Sequence, residues 1–316
     1  MQASSRTFVV LMLLAGACSI LPAQGNVHIA SIEVTNGRPF VMVMVNGRGP
    51  FRFVIDTGTG GEAFVTAELA DRLGLPVTGQ VRLSDPSGQG GQRAPMVLID
   101  SLEVAGAQFT HVKAVEHALS AGDGPCAGLL GFVLFRNYLL TLDFPNRKLL
   151  LSDGALKPDG GHSVLPFRMP EGVPIVPMRV DGVHIDAQID SGGGGLSLPE
   201  NLVPRLKFSA GPALFSNGQS LSTRFQIKAA KLASDVRVGG YTFNQPFVEI
   251  NPAFPLANFG SCPMQSFALT FDQRNGLVRF EARQKSLHLA ATPAPMRMET
   301  APTNQPVDPN LVPVGD

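Results

Sequence analysis

FRFVIDTGTGG, residues 51–61, is an apolar run in which Phe53, Val54 and Ile55 read as a buried strand delivering one carboxylate, Asp56, into a turn of Thr57, Gly58, Thr59 and Gly60. A carboxylate at the end of such a strand is costly to desolvate, so its presence points to a use. The same device returns in HIDAQIDSGGGG, residues 184–195, where an alternating strand carries Asp190 into Ser191 and Gly192. Two such elements in one chain imply one site built from two halves.

Outward from these turns, the two stretches repeat one another. Val41, Val43 and Val45 alternate as in a strand and end in Asn46-Gly47, a strong hairpin signal; Met178 and Val180 lead likewise into Asp181-Gly182. Thr66 is placed to cap a short helix running to Leu73 and stopped by Gly74 and Pro76, and Leu198 to Leu206 echoes it. Strands are predicted at Val97 to Val104 and Phe109 to Val115. Gly128-Leu129-Leu130-Gly131, a brief helix-like segment from Phe132 to Tyr138, and a hairpin from Leu139 to Leu151 turning at Pro145-Asn146 follow. Phe267 to Asp272 with its Asn275-Gly276 turn matches Tyr138 to Asp143. The offset is 134 residues at the Asp pair and 129 at this last pair, a drift small enough to mark a duplication.

Composition agrees with many short buried strands. Of 316 residues, 44% are hydrophobic and 16% charged, with 34 Gly and 26 Pro to serve the turns. Twenty phenylalanines and no tryptophan suit two β cores better than a ligand box. With 25 basic and 25 acidic side chains there is no net field to draw the chain to nucleic acid. The scattered histidines and the three cysteines show no metal-ligand spacing, so neither metal nor cofactor is expected. Cys126 and Cys262 are expected to be buried free thiols rather than a disulfide.

At the start, Arg6 precedes an apolar core from Phe8 to Ala17, the length of a signal-peptide core and too short to span a bilayer. Cleavage after Ala23 or Gly25 would release a soluble exported protein. Alternatively, Leu14-Ala15-Gly16-Ala17-Cys18 resembles a bacterial lipobox, and Cys18 would then carry a lipid anchor, the one membrane attachment foreseen. Either route leads to the periplasm or outside. From Ala291 the chain is Pro-rich and polar and reads as disordered.

Ile55-Asp56-Thr57-Gly58 and Ile189-Asp190-Ser191-Gly192, each followed by a helix signal and later by an apolar-apolar-Gly turn, resemble the pepsin and retropepsin-like aspartic proteases. That later turn is Leu129-Leu130-Gly131 in the first half and, as a weaker match, Asn258-Phe259-Gly260 in the second. The resemblance implies an all-β fold of two pepsin-like barrels related by duplication, with short helices. It divides the chain into a leader (1–25), a first lobe (27–155), a linker (156–172), a second lobe (173–284) and a tail (285–316). It implies endopeptidase activity of a monomer on a peptide or protein substrate, with Asp56 and Asp190 as catalytic carboxyls. Thr57 and Ser191 would bond across the lobe interface, Thr59 would support Asp56, and Gly58 and Gly192 would admit the crossing turns.

The chemistry of such a pair follows from electrostatics. Two carboxylates about 3 Å apart cannot both ionise, so they hold one proton and titrate as a unit. One member takes a proton from water while the other polarises the peptide carbonyl. The chain also departs from the pattern. Gly193 stands where the family has Ser, Thr or Ala, so Asp190 is expected to lack one hydrogen bond. Ser84 to Gln92, with Gly88, Gly90 and Gly91, reads as a mobile hairpin and candidate flap, yet it holds no tyrosine. These departures keep open an alternative, a weak or inactive peptide-binding envelope protein of the same fold.

Overall fold

The computed structural model describes residues 26–83, 91–118, 125–219 and 224–289. The leader with Cys18, the tail from residue 290, and Gly88 and Gly90 of the flap candidate lie outside the described residues.

The fold is all-β. An eight-stranded sheet has the order β2 (Glu33–Thr35), β3 (Arg38–Val45), β4 (Arg48–Asp56), β9 (Gly128–Gly131), β5 (Ala63–Val65), β8 (Ala107–Glu116), β7 (Gln92–Val104) and β6 (Val77–Leu83). It closes partly on itself, because β3 also pairs with β7. A ten-stranded sheet runs β16 (Phe208–Gln219), β17 (Arg224–Leu232), β20 (Phe247–Asn251), β15 (Leu196–Pro199), β21 (Ala257–Gly260), β14 (Val183–Asp190), β13 (Ile175–Val180), β18 (Val236–Val238), β19 (Tyr241–Phe243) and β24 (Ser286–Leu287). A six-stranded sheet joins the halves in the order β1 (Val27–Ser31), β11 (Lys148–Ser152), β10 (Leu139–Asp143), β22 (Ala268–Asp272), β23 (Leu277–Glu281) and β12 (Val164–Pro166).

One pairing pattern occurs in both large sheets. β4 lies parallel to β9 with Asp56 opposite Gly131, and β5 lies antiparallel to β9 and parallel to β8. Likewise β14 lies parallel to β21 with Asp190 opposite Gly260, and β15 lies antiparallel to β21 and parallel to β20. At the centre of the six-stranded sheet Thr141 faces Thr270, their hydroxyls 2.9 Å apart. Each Asp strand is entered through a two-residue turn in which both residues take positive φ: Asn46-Gly47 (48° and 69°) and Asp181-Gly182 (50° and 77°). Such turns match the right-handed twist of the strands they join, which is why Asn-Gly and Asp-Gly favour hairpins.

Alternation in β3 buries Val41, Val43 and Val45 while Met42 faces out. One large apolar core runs through the molecule, and Phe40, Val54 and Leu129 form a smaller cluster of their own. In the second half Phe267 packs edge to face on Tyr241 and Phe280, with centroids 5.0 and 5.3 Å apart. Between the halves Phe132 meets Phe271 at 5.1 Å. Burying each such ring contributes about 1.5–3 kcal/mol.

The first Asp turn is followed by α1 (Ala67–Leu73), capped by the Thr66 hydroxyl on the Leu69 N–H and ended at left-handed Gly74. The second half differs from the helical echo expected at Leu198 to Leu206. Strand β15 continues to Pro199, and a 3₁₀ segment, Glu200–Arg205, follows. Pro204 lacks the N–H that an α-helix needs there. The helix-like segment after Gly131 is also 3₁₀, at Phe132–Phe135. Residues 156–172, expected as a connector, contribute β12 to the central sheet, where it pairs with β23. Cys126 and Cys262 are free thiols, half-buried rather than buried.

Candidate active site

Strands β4 and β14 each end on an aspartate, and the turns that follow cross. The Thr57 N–H donates to Ser191 Oγ at 3.0 Å, and the Ser191 N–H donates to Thr57 Oγ1 at 3.0 Å. Each hydroxyl then donates to the carbonyl before the opposite aspartate, Thr57 Oγ1 to Ile189 O at 2.8 Å and Ser191 Oγ to Ile55 O at 2.7 Å. Both side chains are fully buried. Four reciprocal bonds therefore fix the two turns against each other.

That crossing brings Asp56 and Asp190 face to face, close enough for their side chains to hydrogen-bond. Glycines permit the approach. A Cβ on Gly58 would lie 2.5 Å from the Asp190 carboxyl, and one on Gly192 would collide with the Asp56 carboxyl. The carboxyls stand at one wall of a cavity of about 200 Å³ lined also by Gln188 and by the loop Phe254, Pro255, Leu256. A larger cleft of about 590 Å³ lies around Met42, Phe51, Arg72 and Cys126 and contains neither aspartate.

Each carboxyl is held by its own turn. Asp56 Oδ1 accepts the Gly58 N–H at 2.8 Å, and Oδ2 accepts the Thr59 hydroxyl at 3.0 Å. Asp190 Oδ1 accepts the N–H groups of Gly192 and Gly193 at 2.9 and 2.8 Å, and Oδ2 accepts Asn258 Nδ2 at 2.8 Å. The hydrogen bond expected to be missing at Asp190 is therefore present. Asn258 supplies it from β21, in place of a side chain at position 193. Burial first, and then the charge of Asp190, push Asp56 up to about 7, against the opposing pull of the Thr59 hydroxyl and the Gly58 N–H. An acid so tuned can hold a proton near neutrality beside an ionised partner.

Behind the second turn, Glu249 of β20 accepts the Gly195 N–H, and its burial raises its carboxyl above the usual range. Cys262 sits beside it, its thiol raised by burial and by the Glu249 charge. Among the described residues, no group of three or more His, Cys, Asp or Glu side chains is gathered to hold a metal ion. Of the flap candidates only Gly91 is described. It is exposed beside the Arg82 side chain, next to the Leu83–Gln92 end of the β6–β7 hairpin. His184 and Asp186 lie on the outer face of β14, bonded to Arg179 and Arg168.

Two residues at the site were not singled out from sequence. Gln188, two positions before Asp190, donates to Gly58 O at 3.2 Å across the junction. Asn258 was visible as the polar intruder in an apolar-apolar-Gly turn, but its partner, 68 positions away, was not. None of the curated proteins compared matches the chain. Residues 41–133, which carry the first Asp turn and run through Gly131, match the family model described as aspartyl protease, and this likeness supports a protease-like function.

Proposed function

We propose that the chain is an aspartic endopeptidase of two lobes related by internal duplication, hydrolysing peptide bonds with a water held between Asp56 and Asp190. The observation that carries this reading is the meeting of two Asp turns locked by reciprocal Thr57 and Ser191 bonds, with Asp56 raised to about 7. A capping aspartate needs no second carboxyl opposite it, whereas a pair sharing one proton supplies an acid and a base at once. The repeated strand pairing and the Thr141–Thr270 contact at the sheet centre support the duplication.

In this reading the substrate is an extended peptide lying across the junction, with Phe254, Pro255 and Leu256 flanking the carboxyls on one side. Residues 27–155 and 173–284 form the lobes, and the leader directs the protein out of the cytoplasm as a monomer that needs no cofactor. The alternative of an inactive peptide binder drew on Gly193, on the imperfect second turn and on the lack of a tyrosine in the flap candidate. Asn258 answers the first two, since it replaces the absent donor. The test is cleavage of an unfolded protein at mildly acidic pH, with Asp56→Asn and Asp190→Asn as controls. Activity that survives both substitutions overturns the proposal.

A further inference from the structure

The two carboxyls have unequal surroundings, and the inequality assigns their roles. Asp190 receives three N–H donors, from Gly192, Gly193 and the Asn258 amide. Asp56 receives one N–H and one hydroxyl, from Gly58 and Thr59. An N–H can only donate, and so favours an ionised acceptor. A hydroxyl can donate or accept, and so tolerates a protonated neighbour. Resting on the peptidase reading above, we propose that Asn258 is a positioning residue that keeps Asp190 the ionised member of the pair, making Asp190 the base and Asp56 the acid.

The local sequence is built around that amide. In the first half the matching cross-strand pair is Val54 and Leu129, packed with Phe40 in a small apolar cluster. In the second half the pair is Gln188 and Asn258: the Gln188 amide donates to Gly58 O across the junction, and the Asn258 amide donates to Asp190. Asn258 is held there at a cost, because its Oδ1 is buried without a hydrogen-bond partner. The opposite orientation of the amide would set that oxygen against a carboxylate. Gly193 makes the room: a Cβ there would lie 2.6 Å from Asn258 Nδ2 and 2.5 Å from Asp190 Oδ2. The glycine and the asparagine are two parts of one device. The further titratable groups packed behind the second turn are Glu249 and Cys262.

The step balances. Asp190 removes a proton from water as the water oxygen bonds to the peptide carbon, and the carbonyl π pair moves to its oxygen, which takes the proton of Asp56. On collapse the C–N bond breaks, and nitrogen takes the proton held by Asp190. One hydroxyl of the intermediate returns its proton to Asp56. The products are a carboxylic acid and an amine, and the pair ends as it began.

The test is carboxyl ¹³C NMR of the full chain labelled at aspartate Cγ, near pH 6, with Asp56→Asn and Asp190→Asn to assign the pair. The expected result is a protonated-acid signal for Asp56 and a carboxylate signal for Asp190. In Asn258→Leu, and in Asn258→Ala as the variant that only removes atoms, the preference of the proton for Asp56 should fall by about tenfold or more, the loss of one charge-assisted bond. A protonated Asp190 in the unsubstituted protein, or an unchanged preference in a folded Asn258 variant, overturns the inference. The measurement needs no turnover. The expected spectra in a protein that cleaves nothing would sink the peptidase reading and uphold the proton assignment.

Discussion

Replacing Asp56 by asparagine removes one titratable proton from the pair while keeping the shape, and its effect on stability should depend on pH in a defined direction. The folded value of about 7 lies above the ordinary 3.8, so between these limits the native state binds more protons than the unfolded chain. Stability contributed by this group is therefore fully present below about pH 4 and lost as pH rises toward 7. The span is about three units, or about 4 kcal/mol at roughly 1.4 kcal/mol per unit. The Asp56→Asn side chain would carry no such loss, and its carbonyl oxygen can still accept the Gly58 N–H. Urea unfolding of both proteins, followed by far-ultraviolet circular dichroism because the chain has no tryptophan, gives the difference at each pH. That difference cancels the titrating groups that do not interact with Asp56. The variant should match the wild type near pH 4 and exceed it by about 4 kcal/mol at pH 8. A difference that stays flat across this range would refute the assignment of a raised acid to Asp56.

Further outcomes follow from the same contacts. Proteolysis should decline as pH rises through about 7, where Asp56 loses the proton it offers to the carbonyl, as a pH profile of kcat/KM would read. Thr57→Val keeps volume but strands the Ile189 carbonyl and the Ser191 N–H, and should cost about 3 kcal/mol in urea unfolding together with most activity. Gly192→Ala drives a methyl into the Asp56 carboxyl and should abolish turnover while the far-ultraviolet spectrum stays β-rich. Asp272 is fully buried; burial alone would raise its carboxyl, but bonds from the Asn275 side chain, the Leu156 N–H and the Asn275 N–H hold it below the usual range. Its contribution is present above pH 4 and lost below, opposite in sign to that of Asp56, and Asp272→Ala should cost about 2–4 kcal/mol at pH 7.

The sequence by itself determined whatever depends on neighbours along the chain. Alternating Val41, Val43 and Val45 with Asn46-Gly47 specifies a hairpin, Thr66 and Gly74 bracket a helix, and each Asp turn sits at the end of its own apolar strand. Strand period, capping and positive φ are local properties, so they are legible in order. Only the tertiary structure decided what those turns do to each other. The Thr57–Ser191 lattice spans 134 positions, and the Asn258 amide reaches Asp190 across 68. Spacing shows that Asn258 interrupts an apolar turn, but not that Gly193 leaves space for its amide, because that space arises when β21 is laid beside β14. The proton of the pair belongs to the same class. Burial and the like charge of Asp190 set it, and neither acts until the two halves meet.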